Sequence, residues 1–210
     1  MSRPHGTVSS MTMTPDYNEL ASWTARAPYV PEEWFARPSS LHGASHTQRV
    51  HIHAQRLIRE LGWAEPDAAL VLTAALWHDI GRTNDGVDPS HGAASAARAL
   101  DLGLPGELSQ DGADVVLFAI ACHSLPDDFA DREVRRWHEA GGRASPSNGD
   151  DGPGLAEPER ALRVLWLLKD ADALDRVRLA PWESADPEQL RHAEAIALIP
   201  FAGTLYAALG

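Results

Sequence analysis

Cysteine is nearly absent: Cys122 is the only one in 210 residues. No intrachain disulfide framework can form, and a reducing compartment fits, so the expected location is cytoplasmic. Long apolar runs are missing too. No stretch approaches the roughly 20 uncharged residues that a membrane span needs, and the opening MSRPHGTVSS has no apolar core of a secretory signal. Positive charge is in deficit, with 18 Lys and Arg against 30 Asp and Glu for a formal net charge of −12. That balance argues against a nucleic-acid polymer or an anionic membrane as partner. A small anionic ligand stays admissible, because a site can be locally positive. Strand-like alternation, internal repeats and glycine-rich phosphate loops are also lacking. What is present is helical periodicity, so the expected class is all-α, and the length suits one domain plus tails.

In chain order, residues 1–38 read as an N-terminal arm, polar and disordered over 1–16. A short helical stretch at 17–26, with Trp23 and Trp34, is available to pack on the domain. The domain itself spans 39–210. A helix over 40–62 has Ser45 as its expected N-cap and Gly62 as its stop. On it His46, Val50, Ala54, Leu57 and Leu61 form one core-facing stripe, with His51 on another face. His42 and His53 lie near this stripe without sharing it as cleanly. The next helix, 66–80, begins near Pro66 and is apolar almost all round, with Gly81 expected to supply a left-handed terminating turn. His91 opens an alanine-rich helix over 93–100. A helix over 108–123 places Val116, Ala119 and His123 on one face, with Cys122 beside them as a small buried hydrophobe. A nucleophilic triad built on Cys122 or Ser124 would rest on sequence proximity alone. Residues 130–140 read as a short polar helix, and 141–156 (GGRASPSNGDDGPGLA) as a mobile insertion. An apolar helix over 157–179 contains Asp170, Asp172 and Asp175, and a last helix runs from Asp186-Pro187 to the C-terminus with Leu190, Ala197, Leu198, Phe201 and Leu205 inward.

The chemistry concentrates in Trp77-His78-Asp79-Ile80-Gly81-Arg82. Two adjacent polar residues at the end of a buried helix are costly unless something satisfies them, and imidazole nitrogen with carboxylate oxygen suits a divalent metal. Neighbours on a helix diverge by roughly 100°, so the two side chains can approach a metal pair from two directions. Taken singly, an inward histidine such as His46 is more often a hydrogen-bonded core residue, and His91 is as readily a helix-capping one. Three aspartates within six residues are too many for a core without metal or arginine partners, yet periodicity does not choose between Asp170 and Asp172.

The order His46, His78-Asp79, His91, His123 and a distal aspartate resembles the HD superfamily of metal-dependent enzymes over roughly residues 40–205. That family has a histidine, a His-Asp doublet and an aspartate within Ala-Asp-x-Leu, here Ala171-Asp172-Ala173-Leu174. His42-Gly43 followed by His46, Arg49 and Val50 is similar to its opening helix. The resemblance implies an HD-domain helical bundle in which His46, His78, Asp79 and Asp172 hold a first divalent metal. It further implies that His91 and His123 complete a second, with Asp79 bridging, as in the six-ligand dinuclear subset. Iron, manganese or another first-row metal fits such ligands, and magnesium is admissible.

With two close ions a bridging water becomes the nucleophile, and the resemblance implies Asp79 as the centre of the catalytic machinery. Charge developing on the phosphoryl oxygens calls for a nearby cation. Arg82 is the first candidate, though a helix-end arginine equally pairs with Asp85 or Asp88. Lys169 and Arg176 are the next. Asp175 could orient a ligand histidine or pair with Arg176 or Arg178. The leading expectation is a metal-dependent phosphohydrolase acting on a small phosphorylated or otherwise anionic substrate, with nucleotides among the candidates. A diiron oxygenase of the same fold, cleaving a C–H, C–C or C–P bond with dioxygen, is the second. A non-catalytic nucleotide-binding HD module is the third. Self-association is left open.

Overall fold

The computed structural model describes residues 17–139, 155–179 and 185–210. The expected disordered segment 1–16, and the expected insertion except for residues 155 and 156, lie outside them. Among the described residues there are helices and turns and no strand, and the architecture is an all-α helical bundle.

Four helices enclose the core: α2 (Ala44–Leu61), α3 (Asp67–Trp77), α5 (Gln110–Cys122) and α7 (Pro158–Leu174), with α3 and α7 each packed against the other three. The sequence dictates this centre. Leu70, Val71, Ala74, Ala75 and Trp77 of α3 are all buried, because a helix apolar on every side has no face to give to water. In α7, Val164, Leu165, Leu167 and Leu168 are fully buried, each such leucine contributing roughly 1.5–3 kcal/mol by leaving water. Around the four lie α1 (Tyr17–Thr24), α4 (His91–Asp101), α6 (Asp127–Glu139), α8 (Ala193–Ala197) and α9 (Ile199–Leu209). Leu20, Trp23, Val30 and Phe35 join the same core from the N-terminal side.

Helix ends depart from expectation where backbone contact overrides local signals. Helix α2 is capped by Gly43, and Ser45 is already inside it with no capping bond. A side chain at position 43 would lie 2.2 Å from the Ser39 carbonyl oxygen, so close approach of the preceding loop selects glycine there. Gly62 does end α2 in the left-handed conformation, with φ +66°. Gly81 does not follow suit; Gly62 and Gly103 are the glycines with positive φ among the described residues. Instead, a Cβ on Gly81 would meet the backbone of Ala94 and Ser95 at 2.3 Å, and one on Gly92 would meet the Ile120 carbonyl oxygen at 2.6 Å. The end of α3, the start of α4 and the end of α5 thus touch backbone to backbone.

Further along, α6 begins at Asp127 and is amphipathic, burying Ala130, Val134 and Trp137. Helix α7 stops at Leu174 and passes into a 3-10 turn, Asp175–Arg178. The expected single C-terminal helix is broken into a 3-10 turn (Pro187–Gln189), α8 and α9. Pro200 near the start of α9 explains the second break, since it lacks an N–H and disfavours helix in the residue before it. The rotation between α8 and α9 leaves Ala197 exposed while Ala195, Leu198, Phe201 and Leu205 are buried. His51, expected on another face of α2, is also buried.

Candidate metal centre

Five elements converge at one end of the bundle. His46 comes from the first turn of α2, His78 and Asp79 from the residues just past α3, and His91 from the start of α4. His123 follows the end of α5, and Asp172 sits in the last turn of α7. The structure brings all six together. Nε2 of His46 lies 3.1 Å from Nε2 of His78 and 3.4 Å from Asp172 Oδ1. Nε2 of His91 lies 2.9 Å from Nε2 of His123. Asp79 stands between the pairs: Oδ2 is 3.5 Å from His46, whereas Oδ1 is 3.2 Å from His91 and 3.6 Å from His123.

The opposite ring nitrogens fix the tautomers. His78 Nδ1 donates to the Ala75 carbonyl at 2.9 Å, His123 Nδ1 to the Ile120 carbonyl at 2.7 Å, and His91 Nδ1 to the Asp88 carbonyl. His46 Nδ1 donates to Asp175 Oδ2 at 2.7 Å. Carbonyls and carboxylates only accept, so in each neutral ring the proton is on Nδ1 and Nε2 carries a bare lone pair. Each Nε2 pair therefore sets lone pair against lone pair, an arrangement that is repulsive until a proton or a metal ion lies between. Asp79 Oδ1 adds to this, being buried without a hydrogen-bond partner. These are the donor atoms a divalent cation takes, and the residues fit one; His42, His46 and Asp79, then His46, His78 and Asp172, then His78, Asp79 and His123 each cluster tightly enough to hold an ion.

Electrostatics agree at His78 and His91. Burial pushes His78 down to about 3 and His91 to about 4, keeping both as neutral donors. Burial works against the charged form of Asp79, but the surrounding imidazoles, His78 foremost, hold its carboxyl well below the usual range. Asp172 is lowered likewise, by His46 and His78 against the cost of burial. For His46, burial and Arg178 oppose protonation while Asp175 and Asp79 outweigh them, so its pKa is raised.

Asp170 is turned away. It accepts from the backbone N–H groups of Arg191 and His192 at 3.0 and 2.9 Å and pairs with the Arg191 guanidinium. His53 remains in the core, its ring edge-on to Phe201, with neither nitrogen partnered. Asp175 pairs with Arg49 and Arg178 as well as His46. Arg82 reaches Asp79 Oδ1 at 3.8 Å and donates to the Gly86 carbonyl at 2.8 Å, and it meets neither Asp85 nor Asp88. Lys169 donates to the Leu125 carbonyl and Asp127. Cys122 is buried, and burial pushes its thiol up to about 12, which leaves no thiolate for nucleophilic work. Sequence periodicity undervalued His42, whose Nδ1 is 3.0 Å from Asp79 Oδ2, because it precedes α2 and belongs to no stripe. Arg178, expected as a partner of Asp175, also lies 3.2 Å from that same nitrogen.

The HD-domain family model matches residues 43–177, more than half of the chain. The chain belongs to the HD-domain family. HD domains bind divalent metals and form a metal-dependent phosphohydrolase-like superfamily. Searches of curated proteins and of solved structures return no match. The matched segment of the HD domain contains His46, His78, Asp79, His91, His123 and Asp172, as well as the Arg49–Asp175 pair behind them.

Proposed function

We propose that the protein is a metal-dependent phosphohydrolase that cleaves a small phosphoester, with His46, His78, Asp79 and Asp172 holding one divalent ion and His91, His123 and Asp79 a second. The observation that carries this reading is Asp79, one oxygen turned to each pair of opposed imidazole lone pairs. Divalent ions held there would supply Lewis acidity and bring the pKa of a bound water toward neutrality.

The chain's own residues do the rest. Asp79 offers negative charge to both pairs at once, and its surroundings keep it ionised. The Asp175 carboxylate, gripped by Arg49 at 2.7 and 3.1 Å, fixes the His46 ring. Backbone carbonyls fix the other three rings, so the donors are aimed before any ligand arrives. Substrate enters through a cavity of about 340 Å³ bordered by Asp79, His91, His123 and Asp172. Arg82 lines it too, with a guanidinium placed for charge growing on phosphoryl oxygens. Lys169 serves from the neighbouring cavity, beside His123 and Asp172.

The test is anaerobic purification with metal analysis, followed by phosphate release from a panel of small phosphoesters. Redox-silent metal or manganese with phosphate release is the expected result. Two irons per chain passing through a mixed-valent state, with oxygen uptake and no phosphate release, would replace the hydrolase by the oxygenase. Less than one metal per chain would leave a binding module.

A further inference from the structure

Two cavities, of about 340 and 330 Å³, adjoin the centre, and His123, Ser124, Asp172 and Arg176 line both. Between them they present five cationic side chains. Four are already committed to the protein. Arg82 holds Asp79 and the Gly86 carbonyl. Arg178 holds the Leu41 and Asp175 carbonyls. Lys169 holds Asp127 and the Leu125 carbonyl. Arg191 holds Asp170 and Asp127. Arg176 differs from all four: among the described residues its side chain makes no hydrogen bond and no ion pair, and it is exposed.

An exposed arginine is ordinarily just solvated. Position sets this one apart, since it stands on the 3-10 turn one turn beyond Asp172 and borders both cavities. We propose that Arg176 is a specificity residue that grips a second anionic group of the substrate, outside the phosphoryl group that reacts. This rests on the phosphohydrolase reading above. The reacting phosphoryl would lie at the His/Asp centre beside Arg82. A group projecting from it toward the mouth of the site meets Arg176, whose planar fork matches a carboxylate or a phosphate through two parallel hydrogen bonds. In a chain of net charge −12, an anion at the mouth is repelled unless a local cation compensates, and Arg176 is the one of the five whose side chain holds no protein partner among the described residues.

Ethyl phosphate and phosphoglycolate isolate the second anion, because they are of similar size and differ chiefly in one carboxylate. Calorimetric titration of the metal-loaded protein should show phosphoglycolate binding about tenfold more tightly than ethyl phosphate. Arg176→Ala should abolish that preference, with ethyl phosphate affinity and metal content unchanged, and Arg176→Lys should restore part of it. In turnover, the alanine variant should raise KM for phosphoglycolate with kcat within about twofold. Equal binding of the two anions by the unsubstituted protein, or a preference that survives Arg176→Ala, would overturn the assignment. A preference lost in the variant without hydrolysis of either compound would keep Arg176 as the anion site and overturn only the reaction.

Discussion

The two halves of the centre differ in one histidine: His78 rests on the Ala75 carbonyl much as the two rings opposite rest on theirs, but His46 does not. On one side His46 is fully buried and is held by a side-chain chain: Asp175 takes its Nδ1, and Arg49 and Arg178 take Asp175. On the other, His91 and His123 rest on the carbonyls of Asp88 and Ile120, and His91 faces the cavity. The first half is bound into the core by charges that depend on one another, so removal of one member leaves another buried and unpaired. The second relies on main chain, which substitution does not delete. The same function, ring orientation, is therefore fragile at His46 and robust at the other three.

Breaking the shared element should cost most. Asp79→Ala removes the carboxylate from both halves, and metal content should fall to near zero with activity down at least about a thousandfold; a variant that kept one ion would show the halves to be independent. Next, Asp172→Ala should lose metal and activity, whereas Asp170→Ala should keep full metal per folded chain while lowering Tm, because Asp170 serves Arg191 and His192. Metal analysis giving the reverse would exchange their roles. The comparison itself is sharpened by a third pair. Asp175→Asn should weaken metal affinity by about 10–100-fold, but Asp88→Ala should change it less than about twofold, since His91 uses the Asp88 backbone carbonyl and not its side chain.

The smallest effect concerns pH. Burial pushes His53 from 6.5 down to about 4, so the folded state keeps it neutral where the unfolded state takes up a proton. The unfolded chain then binds more protons between about pH 6.5 and 4, and stability falls as pH drops through that window, by on the order of 3 kcal/mol in full. His53→Leu should flatten that slope in urea unfolding followed at pH 7 and pH 4.5. An unchanged slope would place the acid sensitivity elsewhere.

Much of this was legible in the residues, for physical reasons. The stripe of His46 with Val50, Ala54 and Leu57 pointed the ring inward because a helix has one period. The all-apolar run ahead of His78 marked a central helix because no other place accepts it. Asp172 could not be separated from Asp170 by periodicity, as the residues before them are apolar on every face; only the Ala-Asp-x-Leu resemblance chose. Gly81 has the look of a local stop signal and Gly43 carries no local signal, yet both answer to a distant backbone that no local pattern encodes. Pro200 marks the split between α8 and α9, a signal that the apolar stripe running through it hides.

Gly81 and Gly92 give the centre a property that none of its ligands supplies. With backbone on backbone at both points, nothing lies between the end of α3, the start of α4 and the end of α5 that could compress or rotate. The spacing of the elements that carry His78, Asp79, His91 and His123 is therefore set by main chain, and two missing methyl groups let those elements come that close.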